Sequence, residues 1–175
     1  GHSSLCSSCS PGYYSSAGES ECTACPVNTF ASGMGNSRCI PCPTGQVAAE
    51  AASGCSVCSA GEYAAPSGQC VKCVPGKYSD GTTGCKDCAA GRISAAGQTA
   101  CRQCLAGTYA NADQDVCKLC GAGKWSATAG ADAEATCQNC TAGKYSSAEG
   151  VDAEAKCNEC PPGKWSAASP DSDGC

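Results

Sequence analysis

A Cys-x-x-Cys pair recurs ten times along the 175-residue chain, at intervals of 15 to 20 residues. The pairs begin at Cys6, Cys22, Cys39, Cys55, Cys70, Cys85, Cys101, Cys117, Cys137 and Cys157, and Cys175 has the position of an eleventh. A fixed period of this length predicts a tandem array in which each unit packs on its neighbours. We therefore expect residues 1–175 to form one continuous array of about ten cysteine-rich repeats, cut from a longer protein.

The cysteines must supply what an apolar core supplies elsewhere. The chain contains 21 Cys but only one Phe, and Ala and Cys account for most of its 42% hydrophobic residues. So few large aliphatic side chains would leave the chain disordered unless covalent bridges offset the conformational entropy. The predicted fold class is therefore small and disulfide-rich, an elongated tandem-repeat rod of short β-strands and turns with little helix.

Each repeat has a turn position and a strand position. Three residues after each pair stands Gly12, Asn28, Gly45, Gly61, Gly76, Gly91, Gly107, Gly123, Gly143 or Gly163. Gly and Asn adopt positive φ most readily, which predicts a tight turn there. Two residues further stands an aromatic or β-branched residue, which favours a strand: Tyr14, Phe30, Val47, Tyr63, Tyr78, Ile93, Tyr109, Trp125, Tyr145 or Trp165.

These strand residues are expected to form a thin apolar spine between neighbouring repeats, rather than a ligand-binding aromatic row. The residues that follow them, as in Ser15-Ser16, Ser79-Asp80, Ser126-Ala127 and Ser146-Ser147, are small or polar. We expect them to lie in exposed turns.

Two repeats are longer than the others. Their insertions, at 130–135 and 150–155, are predicted to lengthen a loop without disturbing the frame, and to protrude as about one helical turn. Asp132 with Glu134, and Asp152 with Glu154, form acidic pairs that invite comparison with a calcium site. No EF-hand-like ligand spacing surrounds them, so a solvated loop is the preferred interpretation and no metal site is predicted.

Spacing leaves three disulfide pairings open. In the ladder, the second Cys of each pair bonds the first Cys of the next, and Cys6 stays unpaired: Cys9–Cys22, Cys25–Cys39, Cys42–Cys55, Cys58–Cys70, Cys73–Cys85, Cys88–Cys101, Cys104–Cys117, Cys120–Cys137, Cys140–Cys157 and Cys160–Cys175. In the interlocked alternative, adjacent pairs bond first-to-third and second-to-fourth, which leaves Cys175 over. In the third, each Cys-x-x-Cys closes on itself. The ladder is preferred because it repeats identically in every unit.

Two cysteine chemistries compete with disulfides. Two Cys-x-x-Cys pairs a dozen or more residues apart also describe a four-thiolate zinc site, and a single pair resembles a thiol oxidoreductase motif. Ten tandem units with only one histidine favour a disulfide scaffold over a zinc site. A redox-active cysteine needs surroundings that lower its pKa, so ten equivalent motifs also favour a scaffold over an oxidoreductase. We predict no catalytic residue, no cofactor and no enzymatic activity.

Charge, hydropathy and cysteine content restrict the classes of partner and the compartment that suit this chain. A net charge of −5 with dispersed Lys and Arg argues against a nucleic-acid groove, and no run approaches the roughly 20 apolar residues of a membrane helix. Disulfides at this density persist in oxidising compartments, which predicts an extracellular protein at the cell surface or in a surface appendage. Asn139-Cys140-Thr141 is a formal N-glycosylation sequon, so Asn139 is the candidate glycan site.

The unit Cys-Pro-x-Gly-x-aromatic-Ser, clearest at Cys160–Ser166, resembles the ephrin-receptor-like cysteine-rich repeat over essentially the whole chain. It also resembles the first submodule of tumour-necrosis-factor-receptor cysteine-rich domains, and that resemblance implies the ladder pairing up to Cys160–Cys175. Long arrays of such repeats are familiar in surface and flagellar-hair (mastigoneme-type) proteins of protists and algae. The mixed modules and kinase segments of the receptors are not seen here.

Two functions are compatible with these sequence features. The leading hypothesis is a structural extracellular protein, a stalk or filament or coat subunit, whose partners are further copies of itself or other coat proteins. The alternative is an adhesin or receptor ectodomain that binds protein or carbohydrate through its loops, for which the insertions at 130–135 and 150–155 are the candidate sites.

Overall fold

The chain forms nine short β-hairpins in series, one after each of the first nine turn residues, whereas Trp165, after the tenth, lies in none of the described strands. The computed structural model describes residues 6–81, 84–168 and 175. Contacts divide these residues into two compact units: the first extends up to Cys73 and includes Ser79–Cys85, and the second comprises Val74–Tyr78 and Lys86 onwards. Among the described residues, no helix is long and apolar enough to cross a membrane.

The first unit has four two-stranded antiparallel sheets in its described part. Each pairs an odd-numbered strand with the next even-numbered one: β1 (Tyr13–Tyr14) with β2 (Thr23–Ala24), β3 (Thr29–Phe30) with β4 (Ile40–Pro41), β5 (Gln46–Val47) with β6 (Ser56–Val57), and β7 (Glu62–Ala64) with β8 (Cys70–Lys72). Every odd strand carries the predicted aromatic or β-branched residue. Every even strand contains the two residues between the cysteines of a Cys-x-x-Cys pair.

The second unit continues the same pattern with five sheets in its described part. The pairs are β9 (Lys77–Tyr78) with β10 (Lys86–Asp87), β11 (Arg92–Ile93) with β12 (Arg102–Gln103), β13 (Thr108–Ala110) with β14 (Cys117–Leu119), β15 (Lys124–Trp125) with β16 (Gln138–Asn139), and β17 (Lys144–Tyr145) with β18 (Asn158–Glu159). Two 3-10 turns, Glu134–Thr136 and Glu154–Lys156, are the only helical segments described. Short strands and turns with little helix confirm the predicted fold class.

The turn position has the backbone conformation that the sequence predicts. All ten residues there have positive φ, from 62° at Asn28 to 88° at Gly61. The same residue also closes its hairpin, because its carbonyl accepts a hydrogen bond from the second cysteine of the next pair. Examples are Cys25 N to Gly12 O at 2.9 Å and Cys140 N to Gly123 O at 2.8 Å. The turn and the bridge therefore define the two ends of every short strand pair.

Cysteines and small residues form the buried interior. The position after the aromatic residue is always Ser or Ala, and eight of its ten occupants are buried: Ala31, Ala48, Ser79, Ser94, Ala110, Ser126, Ser146 and Ser166. The prediction that Ser79, Ser126 and Ser146 lie in exposed turns is therefore wrong. A small side chain is needed there because neighbouring repeats approach closely at this position.

The predicted apolar spine is only partly buried. Val47 and Ile93 are buried, and Ile93 packs with Cys104 and Ala110 in a small cluster. Most of the aromatic residues are half-buried, and Trp165 is 78% exposed. The large side chains therefore flank an interior made of sulfur and small residues.

Candidate functional site

The disulfides form a continuous ladder, which is the arrangement most relevant to function. The structure contains these ten bridges: Cys9–Cys22, Cys25–Cys39, Cys42–Cys55, Cys58–Cys70, Cys73–Cys85, Cys88–Cys101, Cys104–Cys117, Cys120–Cys137, Cys140–Cys157 and Cys160–Cys175. Their Cα–Cα distances, 5.4–6.0 Å, suit unstrained bridges. Cys6 is an exposed free thiol. We call the segment closed by each bridge a bridged loop, numbered 1 (Cys9–Cys22) to 10 (Cys160–Cys175).

Most bridged loops are hydrogen-bonded to the next loop at the small residue. The N–H of the turn residue donates to the carbonyl of the Ser or Ala in the following loop, as from Gly12 N to Ala31 O at 2.9 Å and Gly107 N to Ser126 O at 2.7 Å. In two loops the serine hydroxyl adds a second bond: Ser94 Oγ donates to the Lys77 carbonyl at 2.9 Å, and Ser166 Oγ to the Lys144 carbonyl at 2.7 Å. The hydroxyl groups of Ser79, Ser126 and Ser146 instead form bonds within their own loops.

Bridged loops also contact their second neighbours, which the sequence analysis missed. A Cβ built on Gly12, in loop 1, would overlap the carbonyl oxygen of Ala51, in loop 3. The same relation holds between Gly91 in loop 6 and Gly130 in loop 8. Glycine is required at these positions for two reasons, its positive φ and the closeness of another backbone. The sequence signal was present in the near-invariance of the turn residue, but positive φ alone was sufficient to explain it.

Asn28, the single exception at the turn position, makes the second-neighbour contact with its side chain. Its Nδ2 donates to the carbonyls of Ala65 and Pro66 in loop 4, each at 3.2 Å. Its backbone N–H still donates to Ala48 O in loop 3, at 2.8 Å. Asn28 therefore joins loop 2 to both of the loops that follow it.

We expect Asn28→Asp to destabilise the first unit by about 1–3 kcal/mol, because a carboxylate beside two carbonyl oxygens has no hydrogen to donate. Asn28→Gly is the matched control: it keeps the positive φ and loses only the two side-chain bonds, so it should cost less than the carboxylate. Hydrogen exchange at the Gly68 amide, which donates to Ala65 O at 3.1 Å, reports the change. Equal protection in the two variants would show that the Asn28 amide does not link the loops.

The two insertions are anchored to the preceding repeat, which corrects the prediction that they protrude. Ala131 and Val151 are buried and form parallel bridges with Tyr109 and Trp125, respectively. Gly130 N donates to Cys104 O at 2.7 Å, and Gly150 N to Cys120 O at 2.8 Å. Only the second half of each insertion forms the expected single turn, as a 3-10 segment.

Lysines engage acidic residues of both insertions. Lys124 Nζ lies 3.0 Å from Glu134 Oε1, and Lys156 Nζ lies 2.8 Å from Asp152 Oδ1. The hydrogen bond from Lys156 lowers the pKa of Asp152 below its ordinary value. Among the described residues, no three His, Cys, Asp or Glu side chains are grouped as metal ligands. The insertions thus present ion pairs at a protein surface.

Two further surface features bear on binding. Asn139, the predicted glycan site, lies in β16 opposite Lys124 and is half-buried; its glycosylation stays a prediction. An open groove of about 350 Å³ in the second unit is lined by Tyr78, Asp87 and Arg92, together with Ala89, Ala100 and Cys101. An aromatic ring, a carboxylate and a guanidinium are groups that hold polar ligands in shallow clefts.

Residues 12–54 match the family model described as tyrosine-protein kinase ephrin type A/B receptor-like. This stretch covers most of bridged loops 1 to 3, and it confirms the ephrin-receptor-like resemblance for this cysteine-rich segment. No curated protein matches the chain at a significant level. Ten disulfides together with a receptor-like repeat indicate an extracellular or secreted protein. The resemblances to tumour-necrosis-factor receptors and to flagellar-hair proteins stay predictions.

Proposed function

We propose that the chain is a structural extracellular protein, a stalk, coat or filament subunit whose bridged loops form a stiff, protease-resistant rod. One observation carries the proposal: the same small set of contacts, a bridge and backbone hydrogen bonds to following loops, recurs from repeat to repeat. Repeated contacts of one kind make stability grow with the number of units and require no special site. Its partners would be further copies or other coat proteins, at the cell surface or in an appendage.

Small-angle X-ray scattering tests the rod. Two strand layers per repeat give about 10 Å of length, hence about 100 Å for the array and a radius of gyration of roughly 30 Å. A compact domain of this size would give about 16 Å, and an unfolded chain about 44 Å. We expect a value near that of the rod in oxidised protein, and one near that of the unfolded chain after reduction. A radius near the compact value would refute the rod.

The second candidate is an adhesin or receptor ectodomain. The groove at Tyr78, Asp87 and Arg92 and the match to a receptor-like repeat favour it, and Asp132, Ala133 and Glu134 are exposed at the tip of the first insertion. A receptor or adhesin would bind its protein or glycan ligand as a single chain, without first assembling into a filament. Glycan and cell-surface binding assays on Arg92→Ala and Glu134→Ala variants separate the two roles: lost binding with unchanged scattering supports the receptor, and altered assembly supports the structural protein.

A further inference from the structure

The disulfide ladder bypasses every loop of the chain when force is applied to its ends. Between Cys9 and Cys175, the shortest covalent path runs through ten bridges and the nine Cys-x-x-Cys segments that join them. The residues between bridged cysteines, whose sequence separations are 12 to 17, lie off this path. We propose that the array is a strain-limited tether, which bears tension through its bridges and lengthens only when bridges are reduced. The biological use of such a tether rests on the proposed structural function.

The Cys-x-x-Cys segments on this path are already extended in the folded protein. The even-numbered strands, β2 to β18, contain the interior of all nine Cys-x-x-Cys segments between bridges. An extended strand is already close to its maximum length, so tension lengthens it very little. The folded rod of about 100 Å can therefore lengthen by only about half, to about 150 Å, before the bridges carry the full tension.

The elements off the path cannot limit or lengthen the tether. Odd-numbered strands, turn residues and both insertions lie inside the bridged loops. Breaking the hydrogen bonds of these elements does not lengthen the tether, because the bridge across each loop still carries the tension. The loops can thus vary in length, as loops 8 and 9 do with separations of 17 residues, without changing the mechanical limit.

The pairing determines how far the chain can stretch. Each Cys-x-x-Cys segment spans about 10 Å when extended, and each bridge joins Cα atoms 5.4–6.0 Å apart. The ladder therefore limits the distance between the Cys9 and Cys175 Cα atoms to about 150 Å. The same residues would reach roughly 550 Å after complete reduction. The interlocked pairing would allow roughly 300 Å, and self-closed pairs roughly 500 Å.

Reduction releases length in discrete steps. A thiolate of dithiothreitol attacks one bridge sulfur and forms a mixed disulfide, and the other cysteine leaves as a thiolate that takes up a proton. The second thiol of the reagent then displaces the first cysteine, so the bridge becomes two thiols and the reagent a cyclic disulfide. Each event adds roughly 35 to 50 Å, and the largest steps come from Cys120–Cys137 and Cys140–Cys157.

Single-molecule stretching of the full chain, held at both termini by thiol-free handles, tests the inference. A Cys6→Ser background removes the free thiol, which could otherwise exchange with a bridge. Without reductant we expect the extension to stop near 150 Å between Cys9 and Cys175. Addition of dithiothreitol should then give up to ten discrete lengthening steps. A stop near 300 Å or beyond before reduction would overturn the inference.

Removing one bridge gives an internal check that does not depend on folding, since the limit is covalent. Cys104→Ser/Cys117→Ser frees a separation of 13 residues and should raise the limit by roughly 40 Å, with one lengthening step fewer. An unchanged limit in this variant would also overturn the tether. The two proposals can fail separately: a compact scattering radius with a stop near 150 Å removes the rod alone, and a rod that stretches further removes the tether alone.

Discussion

Replacing Cys104 and Cys117 together by serine should destabilise the second unit by about 3 kcal/mol, within a range of roughly 2–5 kcal/mol. The bridge closes a separation of 13 residues, and its loss restores that conformational freedom to the unfolded chain. Cys104 is also 1% exposed and packs with Ile93 and Ala110 in a small apolar cluster. Within residues 6–81, 84–168 and 175, no large aliphatic core is present to compensate for a missing bridge.

Hydrogen exchange at the Ala110 amide measures this loss. That amide donates to Ala131 O at 2.9 Å, across the boundary between bridged loops 7 and 8. A loss of about 3 kcal/mol corresponds to exchange faster by roughly two orders of magnitude. Cys25→Ser/Cys39→Ser removes a bridge of similar length in the first unit and serves as the control, with Ala110 protection expected to be unchanged. If the Ala110 amide were equally protected with and without the Cys104–Cys117 bridge, the result would contradict the view that disulfides stabilise this fold in place of an apolar core.

Gly12→Ala should cost considerably more than Gly18→Ala, although both glycines have φ of 87°. Either alanine is strained by about 1–2 kcal/mol in this left-handed conformation. A Cβ at Gly12 would also overlap the Ala51 carbonyl, whereas a Cβ at Gly18 has no atom within 4 Å. Because the overlapping atom is backbone, loop 3 has to move, which adds roughly 1–3 kcal/mol.

The Ala51 amide reports whether the second-neighbour contact is intact. It donates to Cys25 O at 2.8 Å, so displacement of loop 3 should raise its exchange rate in Gly12→Ala and leave it unchanged in Gly18→Ala. In the second unit, Gly91→Ala and Gly143→Ala form the same comparison, since only Gly91 has a backbone neighbour at the Cβ position. Similar losses for both members of each pair would mean that φ alone explains the glycines.

The buried serines show where reading hydropathy residue by residue fails. Ser79, Ser126 and Ser146 follow an aromatic residue and precede a loop, and by polarity they belong at the surface. They are buried because the carbonyl at this position accepts the turn N–H of the preceding loop, and a larger side chain would keep the two backbones apart. The restriction of this position to Ser or Ala in all ten repeats was the available signal, and it indicates volume rather than polarity.

The sequence by itself determined the period, the positive φ of all ten turn residues, a strand after nine of those turns, and a ladder among the allowed pairings. Only the tertiary structure decided that the ladder is the pairing, that Gly12 faces Ala51 two loops away, and that Ala131 and Val151 anchor the insertions. The physical reason is that turn and strand preferences arise from a residue and its chain neighbours. Contact between units depends on how neighbouring units pack, which no single repeat encodes.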